Sequence, residues 1–189
     1  IAHTGVVIHP SPLNAYKQWP LSHWVELIQF LVRHEIPIFI SGGPAKVDTE
    51  LAQEILKSVP DFSKSFIYDL SGKLSFSELA SLLRRVKAYI GVDTSVTHLA
   101  AACNTPTIAL FGATPPTNFG PWPNGFEGAQ PYQLKALVQT RKNVTILQGP
   151  QECVPCRKAG CDDHSNSRSL CLEELSATRV IEQLTKIMF

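Results

Sequence analysis

The sequence predicts an α/β fold, a doubly wound parallel sheet with helices on both faces. Three observations point to it. Strand-like and helix-like segments alternate through roughly the first 110 residues. The strand segments are short apolar runs, each followed by a loop and then a helical pattern. The composition is that of a globular chain: 189 residues, 44% apolar and 17% charged, which is enough to build a core.

Gly5–His9 reads as a buried first strand, followed by the polar loop HPSPLNAYKQWP. LSHWVELIQFLVRH then puts Trp24, Leu27, Ile28 and Leu31 on one helical face. Ile36–Ser41 is the second strand, closed by Gly42–Gly43, and a helix around Val47–Lys57 carries Leu51, Ile55 and Leu56. Ser65–Leu70 is the third strand. Ser75 and Glu78 have capping-box spacing for the helix ELASLLRRV. Ala88–Val92 is the fourth strand, DTSVTHLAAAC opens a helix, and Thr105–Phe111 is the fifth strand. Gly112–Pro131 reads as a long irregular loop, of the kind that is often functional. Val144–Gln148 is a further strand. A cysteine-rich insert at 149–172 and a C-terminal helix at about 173–188 complete a single domain over 1–189.

Several function classes are excluded at this level. Seventeen basic against sixteen acidic residues leave a net charge of +1, without the basic surface that a nucleic-acid partner requires. No apolar stretch reaches transmembrane length. GxGxxG, GxxxxGK[ST] and GxSxG are all missing, which disfavours a dehydrogenase, a P-loop NTPase and a serine hydrolase. The chain starts at Ile1 and its only methionine is Met188, so it is expected to be processed or one piece of a longer protein.

In such folds ligands sit outside the carboxyl ends of the strands. Two loops there carry chemistry. Asp93 follows the fourth strand, and Thr94–Ser95 open a helix whose first backbone N–H groups suit a phosphate. The plainer alternative makes Asp93 an N-cap and His98 a packed core histidine. Lys17, after the first strand, can reach a phosphate held at that helix. Alternatively it is a solvated loop lysine, with Trp19–Pro20 marking a helix start.

Together, SPLNAYKQWP, SGGP, LSGKLSFSEL and GVDTSVTHLAAACNTPTIALFG resemble glycosyltransferase family 9, the heptosyltransferases of lipopolysaccharide core assembly. The resemblance runs from about Gly5 to the C-terminus. It implies the C-terminal, donor-binding half of a GT-B fold, with a Rossmann-like sheet. The donor would be ADP-heptose or a similar nucleotide sugar. The acceptor, a lipid-linked lipopolysaccharide core, and the catalytic base would belong to the other half. Lys17 and Ser11 would meet the diphosphate, together with the amides of Thr94, Ser95 and Val96. Asp93 would bind sugar hydroxyls and His98 would steady the turn. Leu74 would lie on the adenine, Asp48 or Glu50 would grip the ribose, and Thr114 would touch the sugar. No cofactor is implied for transfer. The location implied is cytoplasmic, peripheral on the inner membrane. A non-catalytic nucleotide-binding module and a related GT-B enzyme such as a sugar-nucleotide epimerase are the alternatives.

Cys153, Cys156, Cys161 and Cys171 fall within 19 residues. Four thiolates suit a structural zinc or iron ion. Packed free thiols or two disulfides are the other readings. Cys103, in LAAAC, is expected to be a small buried hydrophobe.

Overall fold

The computed structural model describes residues 2–189. Five parallel strands form as expected: β1 (Val6–His9), β2 (Ile38–Ile40), β3 (Ile67–Asp69), β4 (Ala88–Val92) and β5 (Thr107–Phe111). The second and fifth are shorter than predicted because each is entered through a proline, which has no N–H for the ladder. Pro37 and Pro106 still offer their carbonyls, to the amides of Val6 and Tyr89, both at 2.8 Å. Two more strands complete the sheet, one expected and one not. β7 (Val144–Gln148) is the expected last strand and pairs parallel with β5, whereas β6 (Val138–Arg141) is an unexpected antiparallel partner of β7. VQTR is polar, and only one of its four residues is buried, so no apolar run announces it. The full order is β3-β2-β1-β4-β5-β7-β6.

The helices are α1 (Leu21–Arg33), α2 (Lys46–Ser58), α3 (Phe76–Leu83), α4 (Ser95–Ala102), α5 (Pro116–Phe119), α6 (Leu170–Glu173) and α7 (Ala177–Met188). The stretch read as one irregular loop thus contains α5. The terminal helix begins at Ala177, with Leu175 buried in the turn before it.

Side chains alternate across the strands, so each strand serves two cores. Val6, Ile8, Ile38, Ile40, Ile90 and Ile108 pack against α1, α2 and α7, including Trp24, Leu27, Leu31, Ile55, Val180 and Leu184. Val7, Phe39 and Tyr89 point the other way, against Leu79 and Leu83 of α3 and Val96 and Ala100 of α4. Each such fully buried aliphatic side chain is worth roughly 1.5–3 kcal/mol against exposure. The Ser75–Glu78 capping box forms. Ser75 Oγ accepts the Glu78 amide at 3.3 Å, and Glu78 Oε2 accepts the Ser75 amide at 2.8 Å. None of the helices among the described residues is long and apolar enough to cross a membrane.

Candidate functional site

The chain runs from β1 outward to β3, then returns to β4 on the other side of β1. The crevice between β1 and β4 is therefore the topological switch point of the sheet. His9, at the end of β1, lies in register with Gly91 of β4, so the loops that follow those two strands face each other. There Lys17 Nζ donates to Asp93 Oδ2 at 2.6 Å, across 76 residues of chain. Asp93 is 8% exposed. The solvated-lysine reading fails on this contact. The capping reading fails too. The N-cap of α4 is Thr94, which makes no side-chain cap, and the Asp93 carboxylate is committed to Lys17.

The pair stands in a cleft of about 650 Å3. Its walls come from the β1 loop (Ser11 to Lys17), the start of α2 (Ala45, Val47, Asp48), Phe76, and the start of α4 (Thr94, Ser95, Val96, His98). The Ser95 and Val96 amides come before the first intrahelical bonds, which the Thr97 and His98 amides make to Thr94 O. Ser95 is exposed at this rim.

The sequence left two acidic residues open for one role, and the fold separates them. Asp48 lines the cleft, while Glu50 is exposed outside it and pairs with Lys46 at 3.5 Å. Burial pushes the Asp48 carboxyl above its usual range, and the adjacent Ser11 hydroxyl draws it part of the way back. Ser11 Oγ is otherwise a buried polar atom without a hydrogen-bond partner. A Cβ on Gly43 would sit 2.6 Å from Asp48 Oδ2, so any side chain there would push the Asp48 carboxylate aside. Leu74 does not line the cleft. It packs on the α3–α4 core, and the exposed ring of Phe76 lines the cleft instead, opposite Val47. A capping box holds the start of α3, and Phe76 is its first helical residue.

His98 is exposed on the cleft wall and its ring makes no hydrogen bond to the turn. Thr97 does that work. Its Oγ1 donates to Val92 O at 2.5 Å and meets the Tyr89 hydroxyl at 2.8 Å. Gly91 makes this possible, because a Cβ there would strike the Tyr89 ring and hydroxyl. Burial raises the Tyr89 phenol above its ordinary range, so it acts as a neutral link. His9 is held similarly. Ser41 Oγ donates to Ile8 O at 3.2 Å, which leaves it to accept from His9 Nδ1 at 3.0 Å. Burial lowers the His9 pKa to about 4, and the ring is neutral at pH 7.

Thr114 lies outside this cleft. It lines a neighbouring cavity of about 450 Å3, together with Tyr16, Lys17, Asn118, Arg157 and Lys158. Lys17 borders both spaces. The cysteine-rich segment is consequently part of the site's surroundings, which its sequence did not indicate. Its far end also clamps the Lys17 loop. Trp19 Nε1 donates to Leu175 O at 2.7 Å, Ser169 Oγ to Tyr16 O at 2.5 Å, and His23 Nε2 bonds Glu173 O at 2.8 Å. Trp19 is therefore more than a helix-start marker: it is fully buried and packs edge-on against Trp24.

The five cysteines are free thiols, so the disulfide reading does not hold. Cys103, expected to be buried, is only half-buried and packs beside α3. Burial pushes the Cys171 thiol up to about 11, and Cys156, Cys161 and Cys153 lie close enough to raise it too. Cys161 Sγ accepts the Leu170 amide at 3.5 Å. Among the described residues, no three His, Cys, Asp or Glu side chains converge as a metal-binding group.

The description of glycosyltransferase family 9 (heptosyltransferase) matches residues 2–163. The chain belongs to glycosyltransferase family 9. Among family members it is similar to lipopolysaccharide heptosyltransferase 3 of Escherichia coli, with 34% identity over 124 residues, 66% of this chain and 36% of that protein. In fold it is similar to the E. coli ADP-heptose lipopolysaccharide heptosyltransferase II (TM-score 0.75, 20% identity, covering 97% of this chain and 46% of that one). It also matches the iron-containing dodecameric glycosyltransferase TibC of enterotoxigenic E. coli (TM-score 0.66, 18% identity, 99% and 47%). The chain thus spans between a third and a half of the length of these relatives. Cys171 lies beyond the stretch matched to family 9.

Proposed function

We propose that this chain is the C-terminal, donor-binding half of a heptosyltransferase, which moves a heptose from an ADP-sugar to a lipopolysaccharide core acceptor. The Lys17–Asp93 pair carries the reading, because it sits at the switch point beside the first amides of α4. A diphosphate there would lie against Lys17, the Ser95 and Val96 amides and the Ser11 hydroxyl. Asp48 is within the cleft for the ribose hydroxyls, Phe76 and Val47 for the adenine ring, and Asp93 for hydroxyls of the transferred sugar. In the reaction an acceptor hydroxyl attacks the anomeric carbon with inversion as the bond to the diphosphate breaks. Its proton passes to a base contributed from outside this chain. The chain's own part is to neutralise the departing diphosphate with one lysine and the positive end of a helix dipole.

The donor set Cys153, Cys156, Cys161 and Cys171 fits a structural zinc or iron ion in chemistry. The spacing of the four cysteines within 19 residues and the amide bond to Cys161 Sγ support that reading. A bound ion would draw the four ligands together and fix the segment without entering the transfer step. Elemental analysis should find about one metal per chain, the stoichiometry of a closed four-ligand site. Four titratable thiols and no metal would leave free cysteines. A soluble nucleotide-sugar donor and a lipid-linked acceptor together place the enzyme on the cytoplasmic face of the inner membrane.

The deciding experiment is calorimetry on this chain. ADP should bind and adenosine should bind more weakly, with no turnover of an ADP-sugar in the presence of acceptor. Tight acceptor binding without ADP binding, or transfer by this chain alone, would refute the assignment.

A further inference from the structure

Arg157 and Lys158 lie outside the four motifs that carry the family resemblance, yet they line the second cavity together with Tyr16 and Lys17. The Arg157 amide donates to Ala113 O at 2.9 Å, which docks the segment on the loop after β5. Its φ of +63° turns the chain there. Neither side chain has a carboxylate partner among the described residues. The one carboxylate lining the cavity, Asp163, accepts the Ala159 amide through Oδ1 at 2.9 Å. Two unpaired cations therefore border one concave space that holds a single carboxylate, and Lys17, paired with Asp93, stands at its edge. Such an arrangement focuses positive potential, and a guanidinium is suited to forking a phosphate.

We propose that Arg157 and Lys158, with Lys17, form a second anion subsite that takes the phosphate group of a phosphorylated acceptor sugar. The cysteine-rich segment is then part of the substrate-binding surface. The proposal rests on the donor reading of the neighbouring cleft, because Lys17 divides the two spaces and the cleft on its other side already offers a complete cradle for a nucleoside diphosphate.

The test uses calorimetry on the chain saturated with ADP, titrated with mannose 6-phosphate and with mannose. The phosphorylated sugar should bind and the neutral one should not. The double variant Arg157→Asn, Lys158→Gln should weaken mannose 6-phosphate at least tenfold and leave ADP affinity within twofold. Asparagine is chosen because it accepts a positive φ. Arg157→Lys should restore part of the binding. If thermal melts show that the double variant is unfolded, Lys158→Gln alone carries the test, since that side chain is exposed and holds no part of the fold. Loss of ADP affinity with mannose 6-phosphate unchanged would assign the cations to the donor diphosphate and overturn the subsite. No binding of mannose 6-phosphate, or equal binding by the variant, would overturn it as well. Failure of ADP to bind the unmodified chain would refute the donor reading, and titration without ADP would then judge the anion subsite separately.

Discussion

Two cavities share Lys17 and are built in opposite ways. The donor cleft is assembled from the first residues after regular strands, where sheet register places every loop. The second cavity is closed by an irregular segment whose position depends on single hydrogen bonds, such as Arg157 N–H to Ala113 O and Ser169 Oγ to Tyr16 O. Disturbance of the cysteine segment should therefore open the second directly and reach the first only through the Lys17 loop. Their common element, the Lys17 loop, is bolted on one side to β4 by Asp93 and on the other to Leu175 by Trp19.

Breaking that bolt should have the largest effect. Trp19→Ala removes a fully buried ring and its hydrogen bond, at a cost of about 3–5 kcal/mol by chemical denaturation. If the loop is a shared element, ligand binding in both cavities should fall. Loss of stability with both affinities intact would show that the clefts are independent of the clamp.

The next effect concerns the donor side alone. His9 has its pKa lowered to about 4 by burial, against about 6.5 when unfolded. The unfolded chain therefore binds more protons between those values, and stability must fall as pH drops from 6.5 to 4 and level off below. The contribution is about 3 kcal/mol at most. His9→Asn should flatten that part of the denaturation-versus-pH curve, and an unchanged curve would show that His9 stays open to solvent.

Lys17→Ala should weaken ADP binding by roughly 1.5–3 kcal/mol, the scale of a lost charge-assisted hydrogen bond, while adenosine binding hardly changes. Equal loss for both ligands would remove the lysine from the phosphates. The smallest expected difference separates the two acidic candidates. Asp48→Ala should cost about 1 kcal/mol of ADP binding and much less with 2′,3′-dideoxy-ADP. Glu50→Ala, on the exposed side of α2, should leave both within about 0.5 kcal/mol. A reversal of that order would mean that the start of α2 turns on binding.

What could be read in the sequence was local. Apolar runs gave β1 to β5 and β7, the spacing of Ser75 and Glu78 gave a helix start, and the helical repeat gave the buried face of α1. Each depends on residues a few positions apart, and covalent spacing fixes such relations before any packing occurs. The order of a lysine loop after β1 and an Asp-Thr-Ser turn after β4 also anticipated that these two segments meet, because parallel strands bring all such loops to one edge. The tertiary structure decided everything that depends on which side chain meets which across the fold. It put Asp48 in the cleft and Glu50 outside it, lined the cleft with Phe76 while Leu74 packs on a core, and bonded Thr97 rather than His98 to the end of β4. It also added the polar edge strand β6, whose pairing comes from its neighbour rather than from its own residues. Trp19 and Leu175 meet across 156 residues and Lys17 and Asp93 across 76, and no local pattern encodes contacts of that kind. Only the closed sheet, by bringing distant loops within hydrogen-bond distance, turns the motifs into a cleft.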